Sequence, residues 1–466
     1  MYRTKKLFSL CILLFFVWVV LIRLGEKKAS TPELTLATII YFVCCLPFLI
    51  YFGRSEKNIP YLPLLGIFYF VYFGFSIFNN YSLFSATYLT PEIITKCLSL
   101  ALFGFISLMV AFYTFLGKMV ASIVIPLKIP WDLNKAYRLG IFTGVLGIIM
   151  QYLGLKGQAP IIIAGVATFL ANLSLLGIAI LFMLHLQNKL KLGGKIFLWI
   201  GIFIPKIFFD LVTGFIYPVI IDFMVLFFLY FYYYKSIPWL RISIALAIFF
   251  LIASAKAEYR ELTWYGKFGS ASPLQKGVLY GKLIYKRLSG EKKEYRPTYE
   301  ALSSRTDYLI TFAKVVELTP AYIPFWGGHT YTTLWTNLMP RFIMLDKPEK
   351  TLGQEFGHRY RFLDPEDTVT SYNLPILIEL YINFGEIGII VGMFILGLIF
   401  RIFYNLFNHP ESGEGGFLIS TMIFVNLLAI ESDFSLIFGN IIQYIILFYI
   451  IIKRMKIPLK KLERLG

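Results

Sequence analysis

At residues 242–255 the chain reads ISIALAIFFLIASA, and at residues 256–260 it becomes polar with KAEYR. Before this point, from Leu7 onward, apolar stretches of membrane-spanning length follow one another with short polar connections. After it, polar sequence prevails as far as about Asn373, where apolar stretches resume. A helix needs about 20 apolar residues to cross a bilayer. The pattern therefore predicts a membrane bundle interrupted by one large hydrophilic loop.

The composition agrees with a membrane protein. Hydrophobic residues make up 58% of the chain and aromatic residues 18%, with a mean hydropathy of +0.70. The apolar runs are continuous, which favours helices, because every backbone polar group in lipid must be satisfied within its own segment. We predict an all-α polytopic membrane protein of about twelve transmembrane helices with one large external, partly helical loop domain. The predicted spans are Leu7–Leu24, Leu34–Phe52, Tyr61–Phe78, Ile93–Leu116, Leu139–Gly154, Pro160–Leu184, Ile196–Phe215, Tyr217–Tyr234, Ile242–Ala255, Gly385–Phe403, Gly416–Ile430 and Leu436–Ile452.

These spans divide the chain into three parts. Residues 1–255 form an N-terminal bundle of about nine helices, 256–373 the loop domain, and 374–466 about three helices with a basic tail. Lys and Arg concentrate on the side of the N-terminus, so the positive-inside rule places both termini in the cytoplasm and the loop outside. Residues 7–22 resemble a signal peptide but are too long, and we interpret them as an uncleaved first span. The expected location is the bacterial inner membrane, with a periplasmic or external loop.

The net charge of +17 limits the classes of molecule that the protein is expected to bind. Most basic residues lie at the ends of spans, where they favour contact with anionic membrane lipids rather than with nucleic acid. The four cysteines, at positions 11, 44, 45 and 97, all fall in apolar stretches. The loop therefore has no disulfide, and no Cys/His cluster suggests a metal. We expect neither a metal nor another cofactor.

The hydrophilic loop contains the sequence features that suggest a catalytic or binding function. Its many tyrosines and tryptophans indicate a folded segment, because disordered linkers are poor in aromatic residues. Aromatic faces beside polar groups suit stacking against sugar rings. The first part, 255–298, is rich in Lys, Gly and Ser and predicts a flexible cover. The second part, from Arg305, is denser in motifs and predicts the functional region. Residues 374–384 beyond it form either an interfacial helix or the start of the tenth span.

A resemblance emerges from the order of these motifs. Along the chain stand Arg305, Thr319-Pro320, Gly327-Gly328-His329-Thr330-Tyr331, Pro340-Arg341, Lys347-Pro348, Gly357, Glu379-Leu380-Tyr381, Asn383-Phe384-Gly385 and Gly388. This succession resembles the Wzy-type O-antigen and oligosaccharide repeat-unit polymerases, which make bacterial surface polysaccharides. The resemblance covers about residues 305–401 and the overall topology. The first 250 residues share only their hydrophobic character.

The resemblance implies a reaction and its partners. A glycan carried on undecaprenyl diphosphate is transferred to the sugar of a new lipid-linked repeat unit. An acceptor hydroxyl attacks the anomeric carbon, and the lipid diphosphate leaves. Expected partners are the undecaprenyl-diphosphate-linked oligosaccharide, a chain-length regulator and a flippase. ATP and nucleotide sugars are absent outside the cytoplasmic membrane, so a substrate activated in advance also fits an external site.

Each candidate residue has a functional and a structural interpretation. A leaving diphosphate develops negative charge, which preorganised guanidinium groups stabilise. An acceptor hydroxyl gives its proton to an imidazole or carboxylate. The functional interpretation assigns the base to His329, His358 or Glu379, and the diphosphate to Arg260, Arg305, Arg341, Arg359 and Arg361. The structural interpretation makes them hydrogen-bonding histidines, helix caps, salt bridges or headgroup anchors. Arg359 and Arg361 share one face only if their segment is extended.

Two charged residues fall inside a predicted span. Lys206 and Asp210 are four residues apart, so they lie on one helix face and can pair, and Asp222 can join them. Intramembrane charges favour a functional interpretation, in which Lys206 meets a lipid phosphate, but a structural ion pair is equally compatible with the sequence. Two other functions also remain open. One is an O-antigen ligase that transfers glycan to lipid A core, and the other is a flippase or transporter of lipid-linked oligosaccharides.

Overall fold

The computed structural model describes residues 2–25, 29–53, 58–78, 89–128, 132–155, 166–167, 169–289, 307–339, 344, 352–368 and 370–454. Within these ranges the regular structure is helical throughout. The first half contains α1 Tyr2–Gly25, α2 Thr31–Gly53, α3 Tyr61–Phe73, α4 Pro91–Tyr113, α5 Phe115–Ser122, α6 Leu133–Leu155, α7 Leu173–Leu186, α8 Leu192–Ile196, α9 Ile204–Val212 and α10 Tyr217–Tyr234. The second half contains α11 Trp239–Arg260, α12 Pro273–Leu288, α13 Tyr308–Leu318, α14 Thr333–Leu338, α15 Leu352–Arg359, α16 Ile376–Phe407, α17 Gly413–Leu427 and α18 Phe434–Lys453.

Eight of the helices in the described ranges are long and apolar enough to cross a membrane. They are Thr31–Gly53, Pro91–Tyr113, Leu133–Leu155, Phe169–Leu186, Tyr217–Tyr234, Trp239–Trp264, Ile376–Phe407 and Phe434–Lys453. Two shorter apolar helices, Leu7–Arg23 and Tyr61–Phe73, accompany them. The predicted all-helical, multi-pass character of the chain is therefore confirmed.

Small residues let the helices pack closely. A Cβ atom added to Gly147 of α6 would lie 2.0 Å from the backbone nitrogen of Ser174 in α7. One added to Gly397 of α16 would lie 2.4 Å from the carbonyl oxygen of Leu108 in α4. Backbones that approach this closely gain van der Waals contact where no hydrophobic force drives one helix onto another. These contacts fix α6 against α7 and α16 against α4.

The beginning of the loop is more ordered than the sequence indicates. Helix α11 continues through the predicted boundary at residues 255/256 to Arg260, and a π-helical turn follows over Glu261–Tyr265. Helix α12 starts with a complete capping box formed by Ser272 and Gln275. It packs Tyr280 against Tyr259 of α11, with ring centroids 4.4 Å apart. The flexible cover predicted for this region is wrong for residues 255–289, because a small aromatic core holds it. Residues 290–298 lie outside the described ranges.

Helix α16 contains a chain reversal that positions the site. Gly385 has φ 67° and ψ −150°, which is not helical. In a straight helix, residues twelve apart are about 18 Å apart along the axis. Here a Cβ added to Gly392 would lie 2.1 Å from Cδ2 of Leu380, twelve residues earlier. The segment 376–384 therefore folds back against the long arm that begins after Gly385. We call it the short arm of α16.

Candidate functional site

The segment Trp326–Tyr331 is fastened to the end of the short arm. The backbone N–H of Trp326 donates to the carbonyl oxygen of Ile382 at 2.8 Å, and that of Gly327 to Asn383 at 3.3 Å. The chain reverses at Gly385, directly after these two residues, so the loop is attached at the turn between the two arms. Gly327 and Gly328 have φ values of 60° and 96°, a region that favours glycine. The two glycines thus allow the backbone to turn at this contact.

Asn383 connects the loop with the interior. Its side-chain oxygen accepts a hydrogen bond from the backbone nitrogen of Gly328 at 2.8 Å. Its amide nitrogen donates to Oγ1 of Thr330 and to the carbonyl oxygen of Glu379, both at 2.8 Å. Asn383 and Thr330 are buried, so these bonds are shielded from water. The position of His329, between Gly328 and Thr330, is therefore set by one buried amide.

His329 forms a polar cluster with helix α15. Its Nε2 lies 3.3 Å from Oε2 of Glu355, with both side chains about half exposed. Arg359, one helical turn after Glu355, places its Cζ 5.1 Å from the ring centroid of Trp326 and donates from Nη2 to the carbonyl oxygen of Pro324 at 2.7 Å. The imidazole ring lies 5.8 Å from the same indole. We call Trp326, His329, Glu355 and Arg359 the loop cluster.

Buried aromatic residues hold α15 in place. Phe356 is fully buried, and Tyr360, just after the helix, is 1% exposed. The Tyr360 hydroxyl lies 2.7 Å from Oγ1 of Thr319, and the Tyr381 hydroxyl of the short arm donates to the Thr319 carbonyl at 3.1 Å. Burial raises the pKa of Tyr360, so this hydroxyl keeps its proton. The chain of contacts ties the helix that carries Glu355 and Arg359 to the arm that orients His329.

Beneath the loop cluster lies a buried carboxyl group. Glu379 of the short arm is fully buried, and its Oε2 accepts a hydrogen bond from the backbone nitrogen of Phe434 at 2.7 Å. Its Oε1 has no hydrogen-bond partner among the described residues, and neither does the nearby Tyr331 hydroxyl. Burial and the Glu379 carboxylate raise the pKa of Tyr331. A carboxyl group and a phenol are thus buried close together beneath the loop cluster.

An apolar groove of about 490 Å³ opens beside this buried pair. Tyr331 belongs to its wall and stacks on Phe384, with centroids 6.0 Å apart and planes within 3°. The remaining wall comes from both arms of α16 and from the start of α18. The lining residues are Tyr331, Ile376, Leu380, Phe384, Ile387, Gly388, Val391, Gly392, Ile395, Leu396 and Phe434. The groove therefore runs along a candidate membrane span and ends at the segment that carries His329.

The other predicted site residues are distributed as follows. His358 is half-buried on α15, three residues after Glu355. Arg361 is exposed and has φ 55°, a left-handed conformation in the turn after α15. The extended segment that would align it with Arg359 is therefore not formed. The Arg361 carbonyl accepts a hydrogen bond from Lys314 at 3.3 Å. Burial and the Arg361 charge lower the pKa of Lys314. Arg305 and Arg341 lie outside the described residues.

Arg260 occupies a different environment at the end of α11. Its Cζ lies 4.2 Å from the ring centroid of Trp264 and 4.9 Å from that of Phe215. Its Nε donates to the carbonyl oxygen of Gly214 at 2.9 Å. The aromatic contacts and this bond hold the Arg260 side chain at the connection between α9 and α10. None of these contacts is with a residue of the loop cluster.

Two carboxylates were not predicted as site residues. Glu355 was visible in the sequence GQEFGHR, where it precedes Arg359 by four residues and so shares a helix face with it. Glu431, in the connection between α17 and α18, gave no such signal. Its Oε2 accepts a hydrogen bond from the Tyr72 hydroxyl at 3.0 Å. Burial raises the pKa of Glu431. Tyr308 packs edge-on against Tyr72 nearby, with centroids 5.2 Å apart.

Comparison with known proteins gives one family. No curated protein matches the chain, and no solved structure does. A family model described as a domain of unknown function, DUF8712, matches residues 59–462. That range includes the candidate spans from α4 onward, the loop cluster and the groove. The chain therefore belongs to the DUF8712 family.

Proposed function

We propose that this protein is a membrane glycosyltransferase that polymerises undecaprenyl-diphosphate-linked oligosaccharide repeat units into a surface polysaccharide. The observation that carries the proposal is the position of Tyr331. This residue lies two positions after His329 and also forms a wall of the apolar groove. The loop cluster, with its imidazole and guanidinium groups, thus adjoins the apolar groove. A lipid-linked diphosphate sugar has the matching shape, with a charged head and an apolar tail.

In the proposed reaction the loop cluster binds the diphosphate and the attached sugar of the substrate. A hydroxyl oxygen of the acceptor sugar attacks the anomeric carbon of the donor. The bond between that carbon and the diphosphate oxygen breaks, and its electron pair stays on the lipid diphosphate. His329 takes the hydroxyl proton, and Glu355 orients the imidazole and stabilises its protonated form. Arg359 stabilises the charge that develops on the diphosphate, and Arg341 is proposed as a second cation for it on the sequence alone.

The substrate tail fits the groove for two reasons. The wall is almost entirely hydrocarbon, so burial of an isoprenoid chain contributes about 25 cal/mol per Å² of apolar surface. Phe384 lies directly under the loop, since a Cβ on Gly328 would be 3.5 Å from its ring. A tail in the groove would therefore present its diphosphate next to His329. Tyr331 lies at the same junction, with the buried Glu379 beneath it.

The proposal includes an orientation in the membrane. The excess of Lys and Arg on the side of the termini supports a cytoplasmic position for those ends and an external position for the loop. Twelve crossings follow when four further segments span the bilayer beside the eight longest helices. These are Leu7–Arg23, Tyr61–Phe73, the helical run from α8 to α9, and α17. The loop cluster then faces the periplasm or the cell surface, where lipid-linked repeat units are available.

Two other functions use the same kind of substrate. An O-antigen ligase would transfer the glycan to lipid A core, and the described residues do not distinguish that acceptor. A flippase would need charged residues along a transport path, and the buried Lys206–Asp210 pair favours this alternative more than the loop cluster does.

Deletion of the gene followed by gel analysis of the surface polysaccharide separates the three functions. Single repeat units in place of a ladder indicate a polymerase. Loss of glycan from the core acceptor, with the polymer kept on its lipid, indicates a ligase. Absence of repeat units on the outer face indicates a flippase. The first result supports the proposal, and either of the others rejects it.

A further inference from the structure

A charged cluster lies inside the bundle, apart from the loop cluster. Lys206 and Asp210 of α9 form an ion pair, with Nζ 2.6 Å from Oδ2. Asp222 of α10 approaches the same ammonium, with Oδ1 at 3.3 Å from Nζ. All three side chains are nearly or completely buried, at 9%, 6% and 0% exposure in that order. One cation therefore faces two carboxylates in the interior of a membrane bundle.

Hydrogen bonds distinguish the two carboxylates. Both oxygens of Asp210 are engaged, because Gln151 of α6 donates to Oδ1 at 2.6 Å while Lys206 binds Oδ2. Neither oxygen of Asp222 accepts a well-directed hydrogen bond within the described ranges, and its contact with Lys206 is the longer of the two ion pairs. The side-chain oxygen of Gln151 is also buried without a partner. From α18, Tyr444 faces Lys206, and its hydroxyl accepts a hydrogen bond from Asn172. Asp222 is the carboxylate whose charge has the least support.

We propose that this cluster is an intramembrane proton-binding site, with one proton held on Asp222 and shared toward Asp210. With both carboxylates ionised, the cluster would carry a net negative charge in a medium that solvates it poorly. One proton makes the cluster neutral and gives Asp222 a hydroxyl to donate. A sodium ion is the other small cation to consider. However, the Lys206 ammonium already occupies the position between the two carboxylates that a metal ion would take.

The helix that carries Lys206 is suited to a site of this kind. A π-helical segment, Phe197–Phe203, directly precedes α9, and Gly214, with φ 78°, follows it. Interruptions of this kind are frequent at functional sites in helices, and broken helices hold coupling ions in transporters. Intramembrane carboxylates commonly carry protons in relays. This inference goes beyond the proposed reaction and does not depend on it.

The cluster is connected to the exit of α11. The carbonyl oxygen of Asp210 accepts a hydrogen bond from Oγ1 of Thr213 at 2.6 Å. In the same turn, the carbonyl of Val212 accepts from the Tyr259 hydroxyl at 2.7 Å, and that of Gly214 accepts from Arg260. Asp210 lies directly before this turn, so repulsion from Asp222 after loss of the proton would act on the end of α9 that holds it. The same turn holds Arg260 through Gly214.

Infrared spectroscopy of the full-length protein in lipid nanodiscs tests the proposal. At neutral pH we expect a carbonyl-stretching band of a protonated carboxylic acid, which shifts when aspartate is labelled with ¹³C at its carboxyl carbon. Asp222→Asn should remove the band. Asp210→Asn should remove it too, because the remaining carboxylate then ionises and pairs with Lys206. Glu386→Gln is the matched control, since Glu386 is an exposed carboxylate paired with Lys96 at 2.6 Å, and it should leave the band intact.

Three results would overturn the proposed proton-binding site. A wild-type spectrum without an aspartic acid band at neutral pH overturns the proposal, and it needs no variant to fold. A band that survives both asparagine substitutions assigns the proton elsewhere and also overturns it. The melting temperature in NaCl against choline chloride at equal ionic strength tests for sodium. A sodium-specific rise that disappears in Asp222→Asn would identify a sodium site and reject the proton.

Discussion

Nε2 of His329 lies 3.3 Å from Oε2 of Glu355, although the two residues are 26 positions apart and belong to different elements of the loop. A carboxylate at this position selects the imidazole tautomer and stabilises the ring when it gains a proton. An imidazole nitrogen can accept a proton from a hydroxyl group held within hydrogen-bonding distance. This pairing gives the proposed base an orienting partner and leads to the first prediction.

Replacement of His329 by alanine should reduce polymerase turnover by about a hundredfold or more, the usual scale for loss of a general base. Glu355→Gln should reduce turnover less, because the imidazole remains and only its orienting charge is lost. Binding of the lipid-linked donor should survive both changes. Turnover and donor binding of purified variants provide the measurement. If His329→Ala keeps full turnover while His358→Ala or Glu379→Ala loses it, the base assignment moves to that residue.

Arg359→Ala should abolish polymer formation while the protein stays in the membrane, because the developing diphosphate loses a cation. Arg359→Lys should restore little, since an ammonium neither forms the planar fork nor stacks on Trp326 in the same way. We expect the same pattern at Arg341. Lys282→Ala on α12 is the control for removal of an external positive charge. Polymer ladders at equal membrane protein level report the outcome. A normal ladder from Arg359→Ala would remove that residue from the site.

A larger side chain in the groove should weaken binding of the lipid-linked donor without changing the rate of glycosyl transfer. Ile395 lines the groove and is 49% exposed, so Ile395→Trp places a larger side chain where the tail is expected. The KM for the lipid-linked donor should rise about tenfold, which corresponds to about 1.4 kcal/mol, with little change in kcat. Ile446→Trp on α18 is the matched control, because Ile446 is 55% exposed outside the groove. Equal kinetics for both variants would show that the tail binds elsewhere.

The orientation can be tested with two glycines whose surroundings leave room for a side chain. Gly281 of α12 and Gly193 of α8 both have open space around an added Cβ. Gly281→Cys should react with an impermeant maleimide in intact spheroplasts, and Gly193→Cys only after lysis. Both variants are made with Cys11→Ser, because Cys11 is exposed while Cys44, Cys45 and Cys97 are buried. Labelling in the reverse order would place the loop in the cytoplasm and remove the basis of the proposed function.

The proposed reaction should not need a divalent metal. Guanidinium groups neutralise the diphosphate in this mechanism, so purified protein should elongate lipid-linked repeat units in EDTA at its normal rate. The measurement is the length of products with and without the chelator. A strict requirement for Mg²⁺ or Mn²⁺ would direct attention to the acidic segment around Asp364 and Asp367 instead.

Sequence reasoning recovered the features that depend on local periodicity. Hydropathy located the long helices, because a bilayer sets their length. The spacing of Lys206 and Asp210 predicted a pair that the structure forms at 2.6 Å. Gly385, chosen as the start of a span, is the residue where α16 reverses.

The missing features depend on contacts between distant segments. Nothing near Glu355 in the sequence points to His329, since their contact requires α15 to pack beneath Trp326. The order in residues 255–289 comes from Tyr259 meeting Tyr280, which a composition rich in Lys and Gly conceals. The prediction that Arg359 and Arg361 share one face is not met for a related reason. It assumed a strand period in a segment that tertiary packing makes a helix followed by a turn.

The reversal at Gly385 has a consequence for how the site assembles. In an uninterrupted helix, the carbonyls of Ile382 and Asn383 would accept from residues 386 and 387 of the same helix. They also accept from Trp326 and Gly327 of the distant loop segment. Gly385 has a positive φ that other residues adopt only with strain. Any other residue at position 385 would therefore displace the segment that carries His329 without touching it.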